Sequence, residues 1–262
     1  MRVISLNANG IRSATNKGAL DWLSSQEADV VCLQELKAQI VDLQPQHQAL
    51  DCGLLGHFAC AQKKGYSGVG LYCRPDAPVA AGFGVAEFDA EGRLIKADWP
   101  GLSVVSLYAP SGSASDERQA SKYRFMSAFG PVMASWMADH RATGREYLVC
   151  GDWNIAHTEQ DLKNWKGNLR QSGFLPEERA WLTDLFDKVG WVDVYRHLNP
   201  TATGDGYTWW SQRGQARANN VGWRIDYQIA TPGLARRARA AWVYTSQRFS
   251  DHAPLVVDYD LP

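Results

Sequence analysis

The chain has 262 residues, 45% of them hydrophobic and 11% aromatic, with a formal net charge of −1. That length and apolar content suffice for a large core and suit one domain over residues 1–262. Near-zero charge excludes a globally basic coat, so any grip on a polyanion must come from local Lys and Arg. There is no apolar run of about 18 residues and no basic, apolar and small-residue succession at the start, which predicts a cytoplasmic protein without a membrane partner.

The first apolar run, Arg2-Val3-Ile4-Ser5-Leu6-Asn7, fits a buried strand that stops at the turn signal Asn-Ala-Asn-Gly, leaving Asn7 at a strand end. A helical segment is expected over 18–26. The next run, Asp29-Val30-Val31-Cys32-Leu33-Gln34-Glu35, closes on a carboxylate. The five cysteines, Cys32, Cys52, Cys60, Cys73 and Cys150, show no C-x-x-C pair and are expected to be buried free thiols. Further strands are predicted at 102–108 before Pro110, at 146–150 before Gly151-Asp152-Trp153-Asn154, and at 224–230, which contains Asp226. Helices are predicted over 116–140, where Phe125, Phe129, Val132, Met133 and Trp136 recur at helical spacing, and over 176–189, with Pro176 in the first turn. Strands and helices mix without strict β-α-β alternation, which predicts packed sheets with helices outside them.

Glu35, Asp152, Asp226 and Asp251 sit in or at the ends of apolar segments, where an unpartnered carboxylate is costly. Either each pairs with a local Lys or Arg, or they share a cation. With Asn7 and Asn154 they make an all-oxygen set suited to Mg²⁺ or Mn²⁺. Zinc fits less well, since there is no H-E-x-x-H and the histidines show no ligand spacing. In Phe249-Ser250-Asp251-His252, an acid stands beside an imidazole just before a last apolar strand; with Asp226 on one ring nitrogen, the other can face a phosphate. Neither G-x-S-x-G nor a Walker-type loop is present, so metal-assisted hydrolysis is favoured. Basic clusters occur at 12–17, 63–64, 163–170, 213–217 and 236–239.

Eight blocks in order carry a resemblance over essentially the whole chain. They are Asn7-Ala8-Asn9-Gly10-Ile11-Arg12, Leu33-Gln34-Glu35, Gly65-Tyr66-Ser67-Gly68, Tyr108-Ala109-Pro110, Gly151-Asp152-Trp153-Asn154-Ile155-Ala156-His157, Asn164-Trp165-Lys166-Gly167-Asn168, Gly222-Trp223-Arg224-Ile225-Asp226-Tyr227 and Ser250-Asp251-His252. The chain resembles exonuclease III-type apurinic/apyrimidinic endonucleases of the endonuclease/exonuclease/phosphatase group. That resemblance implies an α/β fold, a four-layer α-β-β-α sandwich of deoxyribonuclease I type with two packed mixed sheets flanked by helices. It implies Mg²⁺, with Mn²⁺ as substitute, held chiefly by Glu35 with Asn7 and Asp251. Asp152 and Asn154 then position or deprotonate the attacking water and complete the metal set, His252 held by Asp226 contacts the scissile phosphate, and Tyr108 donates to it.

The implied substrate is double-stranded DNA with abasic sites or blocked 3′ ends, cut 5′ to the abasic site by a monomer. Arg12, Lys17, Lys63, Gly65, Tyr66, Asn164, Lys166, Asn168 and Arg213 are the implied DNA contacts, and Trp209, Trp223 and Ile225 the implied pocket for an extruded sugar. Ser111, Ala114, Gln171 and Arg213 depart from residues found in relatives. Two other readings follow from the same residues. The chain also looks like the catabolite repression control proteins, which implies a non-catalytic RNA- or protein-binding regulator, although the acids lost there are kept here. The other is a phosphodiesterase acting on a lipid head group or inositol phosphate.

Overall fold

The computed structural model describes residues 1–261. Its strands are β1 (Arg2–Asn7), β2 (Val30–Gln34), β3 (Leu55–Ala59), β4 (Val69–Cys73), β5 (Val79–Ala81), β6 (Leu94–Trp99), β7 (Leu102–Tyr108), β8 (Glu146–Asp152), β9 (Val192–Asp193), β10 (Trp209–Trp210), β11 (Gly222–Trp223), β12 (Asp226–Ala230), β13 (Ala238–Val243) and β14 (Leu255–Tyr259). They form two six-stranded sheets, ordered β13-β14-β1-β2-β4-β3 and β5-β6-β7-β8-β12-β9, and a small β10-β11 ladder. Each large sheet is mixed: β1 runs parallel to β2 and β7 parallel to β8, while the remaining pairs are antiparallel.

Strands β2, β4 and β12 are buried along their whole length, as near-continuous apolar runs covered on both faces must be. Val30, Cys32, Val69 and Leu71 of the first sheet meet Ile95, Val104, Leu148 and Cys150 of the second in one core. The outer face of the first sheet packs Ile4, Leu6, Val31 and Leu33 against Ile11, Ala14, Leu20 and Leu23 of the helices Ile11–Asn16 and Ala19–Ser24. The outer face of the second packs Val105, Leu107, Val149 and Ile229 against Phe125, Phe129, Met133 and Met137 of the helix Asp116–Thr143. This is the four-layer α-β-β-α sandwich. The two buried glutamine amides inside it are partnered, as buried amides must be: Gln34 Nε2 donates to Ser106 Oγ at 3.1 Å and Gln228 Nε2 to the Val3 carbonyl at 3.0 Å.

Some boundaries differ from those expected. The helix expected over 18–26 is present as Ala19–Ser24, but an additional short helix, Ile11–Asn16, precedes it, with Gly18 between them at φ +83°, a left-handed turn that suits a residue without Cβ. Arg12 is therefore on a helix. The segment expected as one helix over 176–189 is α-helical over Pro176–Thr183 and widens to a π-helix over Asp184–Val189. The last core strand of the second sheet starts at Asp226, two residues later than expected. Cys32, Cys73 and Cys150 are buried, but Cys52 is exposed and Cys60 half-buried, because both lie in connections outside the covered strand faces. No helix among the described residues is long and apolar enough to cross a membrane.

Candidate active site

Strand register collects the polar ends. Asn7 is aligned with Gln34 at the end of the β1-β2 pair, and Tyr108 with Asp152 at the end of β7-β8. Asp226, the first residue of β12, faces Asp152 across the antiparallel β12-β8 ladder. Because the two sheets pack with these edges side by side, the side chains converge on a cleft of about 400 Å³. It is lined by Asn7, Glu35, Tyr108, Asp152, Asn154, Asp251 and His252, and on one side by Trp209, Trp223 and Ile225. Glu35 and Asn154 leave their strands at φ +49° and +53°, conformations that non-glycine residues adopt sparingly and that cluster where a side chain must be aimed.

Asp152 is buried and receives the Asn154 N–H at 2.8 Å on Oδ1 and the Asn7 Nδ2 amide at 2.8 Å on Oδ2. His252 Nδ1 stands 2.8 Å from Asp226 Oδ2, and since an ionised carboxylate only accepts, this nitrogen carries the proton. Its Nε2 faces the cleft, 3.9 Å from Asp152 Oδ2. Burial would lower the His252 pKa, but the charges of Asp226, Asp152 and Asp251 outweigh it and raise it to about 10. Burial, together with the charges of Asp226 and Glu35, pushes Asp152 up to about 8. Burial and the Glu35 charge also keep Tyr108 protonated, and its hydroxyl donates to Glu35 Oε1.

Two groups of donors could hold a cation. Oxygen and nitrogen atoms of Asp152, Asp226 and His252 lie within 4.8 Å of one another. In that group Asp226 and His252 are occupied by each other, and Asp226 Oδ1 is buried without a partner. The second group is all oxygen: Glu35 and Asp251, with Asn7 and Asp152 beside them in the cleft. Lys37 stands 3.3 Å from Glu35 Oε2 and donates to Asn9 Oδ1 at 2.5 Å, and Asn9 donates in turn to Asp251 Oδ1 at 2.7 Å. Trp209 Nε1 donates to the other Asp251 oxygen at 3.2 Å. Burial would raise the Asp251 pKa, but His252 and these two donors lower it, which leaves the carboxylate ionised and ready to bind a hard cation. Asn7 and Asn154 are tied by their amide nitrogens, so their Oδ1 atoms are what could serve a metal, and that of Asn7 already receives the Asn9 N–H at 2.9 Å on one lone pair.

The expected catalytic, metal and sugar-pocket residues thus line one cleft, except Asp226, which stands behind the lining on His252 Nδ1. The expected DNA contacts do not: of them only Asn168 reaches the lining, with Asn164 accepting its amide at 2.7 Å. Arg12, Lys17, Lys63, Gly65, Asn164, Lys166 and Arg213 are exposed outside it. Tyr66 is half-buried, its hydroxyl receiving Arg93 and Arg118 at 2.8 Å each. Ser111 and Gln171 both line the cleft. Residues not foreseen are Asn9 and Lys37, which share the Asn7 and Glu35 motifs, and Arg93, buried with its guanidinium 5.0 Å from the Tyr108 ring centre. The motif neighbours could have been found from the spacing of Asn9 to Asn7 and of Lys37 to Glu35; Arg93 carries no such signal.

Buried acids without a Lys or Arg partner, an Asp-held imidazole and hard oxygen donors in one cleft define a class of hydrolytic metal-dependent sites. Residues 4–252 match the Endonuclease/Exonuclease/phosphatase family, and the chain belongs to it. It is 36% identical over 259 residues to an exodeoxyribonuclease of Bacillus subtilis, covering 97% of this chain and 98% of that protein. It is 34% identical over 272 residues to the DNA repair nuclease APEX1 of Danio rerio, covering 98% of this chain and 81% of that protein. An AP endonuclease structure from Leishmania major superposes with a TM-score of 0.85 at 27% identity, covering 100% of this chain and 88% of that one.

Proposed function

We propose that this chain is a DNA-repair phosphodiesterase that hydrolyses the bond 5′ to an abasic site and leaves a 3′-OH, acting as one domain and as a monomer. The same site would serve 3′-phosphodiesterase and 3′→5′ exonuclease reactions, which share the bond chemistry. The observation that carries this reading is the union, in one cleft, of the Asp152/Asp226/His252 cluster with an apolar wall of Trp209, Trp223 and Ile225. Trp209 and Trp223 meet edge to face at 81° with ring centres 6.3 Å apart, a rigid wall that suits a bare sugar and leaves little room for an attached base. Relatives named as an exodeoxyribonuclease and as a DNA repair nuclease support the same substrate class.

Mg²⁺, with Mn²⁺ as substitute, would be held by Glu35 and Asp251 with the carbonyl of Asn7, and would supply positive charge against the phosphate oxygens. With a cation bound nearby, which would lower the Asp152 pKa from about 8, Asp152 would accept the proton of the attacking water, its carboxylate fixed by the Asn154 N–H and the Asn7 amide. His252, kept protonated by Asp226, donates from Nε2 to a phosphate oxygen as charge grows there. Tyr108, whose one hydroxyl proton is given to Glu35, would donate to the phosphate once a cation on Glu35 releases that proton. Asn168 and the exposed Arg12, Lys17, Lys63, Lys166 and Arg213, with Gly65, Tyr66 and Asn164, would meet the duplex backbone around the cleft.

The test is an end-labelled duplex with one tetrahydrofuran abasic analogue, incubated with Mg²⁺ or with EDTA beside an undamaged duplex. Cleavage 5′ to the analogue that EDTA abolishes is expected. No cleavage of either duplex in Mg²⁺ or Mn²⁺ would overturn the reading in favour of a non-catalytic regulator.

A further inference from the structure

Beneath the cleft lies an ion pair that the chemistry above does not use. Lys122, on the helix Asp116–Thr143, and Glu178, on the helix Pro176–Thr183, have side chains 1% and 0% exposed and stand 2.6 Å apart, Nζ to Oε1. Lys122 Nζ also donates to the main-chain carbonyl of Asn154 at 2.8 Å. Glu178 receives the N–H groups of Gly173 at 2.6 Å and Leu175 at 3.0 Å, and Gln119 Nε2 at 3.0 Å. Gly173 closes the circuit: its carbonyl receives the Ala156 N–H at 2.8 Å, and a Cβ placed on it would fall 3.1 Å from the Asn154 carbonyl oxygen and 3.3 Å from the Trp223 ring. Asn154, Gly173 and Trp223 all line the cleft.

A buried ion pair is a poor device for stability alone, since apolar side chains of similar volume often do as well or better. An apolar pair cannot, however, hold the carbonyl of a left-handed turn with one member and two loop N–H groups with the other. We propose that Lys122 and Glu178 are positioning residues: they fix the Asn154 turn, whose N–H orients Asp152, at a set distance from the Gly173 wall against which Trp223 stands. The proposal rests on the function proposed above, because it assigns the pair the task of keeping the water-activating side of the cleft in register with the sugar-binding side.

The variant Lys122→Met/Glu178→Gln removes both charges and leaves neither uncompensated. With Mg²⁺ and the tetrahydrofuran duplex, its kcat is expected to fall about 10- to 100-fold with KM within about twofold of wild type, as misplacement of reacting groups does while the exposed basic residues stay intact. Gly173→Ala keeps the ion pair but strains the turn, which stands at φ +94°, and sets a methyl group against Asn154 and Trp223, so the same kcat-dominated loss is expected from misplacing the wall alone. Should the double variant fail to fold, Lys122→Leu/Glu178→Leu, an apolar pair of similar volume, takes its place with the same outcomes. An unchanged kcat, or a loss confined to KM, overturns the proposal.

Amide hydrogen exchange reads the same device without turnover. In the double variant the Gly173 and Ala156 amides are expected to exchange about tenfold faster or more, while Leu148 and Val149 of β8 keep their protection. Unchanged exchange at Gly173 and Ala156, or an equal loss of protection in β8, overturns the proposal whether or not the wild type cuts DNA. Absence of wild-type cleavage overturns the functional reading alone.

Discussion

Two groups of buried acids in this chain are neutralised in different ways. Asp161 and Asp193 are bridged by Arg224, whose Nε and Nη2 each stand 2.7 Å from a carboxylate oxygen, and Arg196 reaches Asp161 at 2.6 Å. Burial alone would raise the Asp161 pKa, but the two guanidinium groups hold it well below the usual carboxylate range. Asp152 and Asp226 have no Lys or Arg partner among the described residues and share His252 alone. There the Asp152 pKa moves up instead, to about 8. A cation supplied by the chain makes the first group architecture: Arg224 ties the strand that carries Trp223 to the turn at Asp161. The second group is left short of positive charge, and that shortage is what a divalent cation and a phosphate-facing imidazolium would use.

The widest separation of the two groups should appear on removing their central residues. Asp152→Ala is expected to fold and to lose turnover about 10³-fold, and His252→Ala about 10²-fold, the scale of a missing general base and a missing transition-state donor. Single-turnover cleavage beside a circular dichroism melt checks both, and a normal rate in either would break the functional side of the contrast. Arg224→Met should do the reverse. It leaves Asp193 buried without a cation and Asp161 with Arg196 alone, so a loss of about 3–5 kcal/mol in stability is expected from denaturant unfolding. Full stability would show that the arginine group is not architecture.

A smaller effect is expected where the two groups touch. Trp223→Ala should lower the preference for abasic over undamaged duplex by about tenfold, as removal of a pocket wall does, while leaving cleavage itself in place. An unchanged ratio would refute the sugar pocket.

The two groups should also differ in the sign of their pH dependence. Asp161 has a depressed pKa, so its stabilisation is present above the ordinary value of 3.8 and is lost as pH falls below it. His252 is raised from 6.5 to about 10, so its stabilisation is complete below about 6.5 and is lost as pH rises toward 10. Asp152 is raised from 3.8 to about 8, so ionising it costs the folded state an amount that grows across that interval. In EDTA the melting temperature should therefore decline between pH 6 and 9, and His252→Ala should flatten the upper part of the decline. A flat wild-type profile would contradict the charges assigned here.

Much of the catalytic cleft was legible in the sequence, because buried strands are continuous apolar runs and each of these stops on a polar residue. The ends at Asn7, Glu35, Tyr108 and Asp152 could be read that way before any register was known, and the register then brought them together. Lys122 was not legible. A lysine inside a long helix reads as a solvated face, and its partners Asn154 and Glu178 meet it only through the packing of two helices and a turn. Arg93 was hidden for the same reason, since it is buried by Tyr66 and Tyr108 from separate segments. The short helix Ile11–Asn16 was not legible, because it follows the Asn-Ala-Asn-Gly turn signal and ends before the left-handed Gly18. The exposed Cys52 was misread because composition does not distinguish a strand face from the loop beside it.

The central claim is that the cleft is short of positive charge that Mg²⁺ supplies, since among the described residues Asp152 and Asp226 have no Lys or Arg partner and Glu35 has Lys37 alone. It is tested most directly by titrating Mg²⁺ calorimetrically into EDTA-stripped protein at neutral pH, with wild type and Glu35→Ala side by side. Saturable binding in wild type that weakens about tenfold or more in the variant is the result expected from loss of a principal ligand. No binding in wild type, or equal binding in both, would contradict the claim.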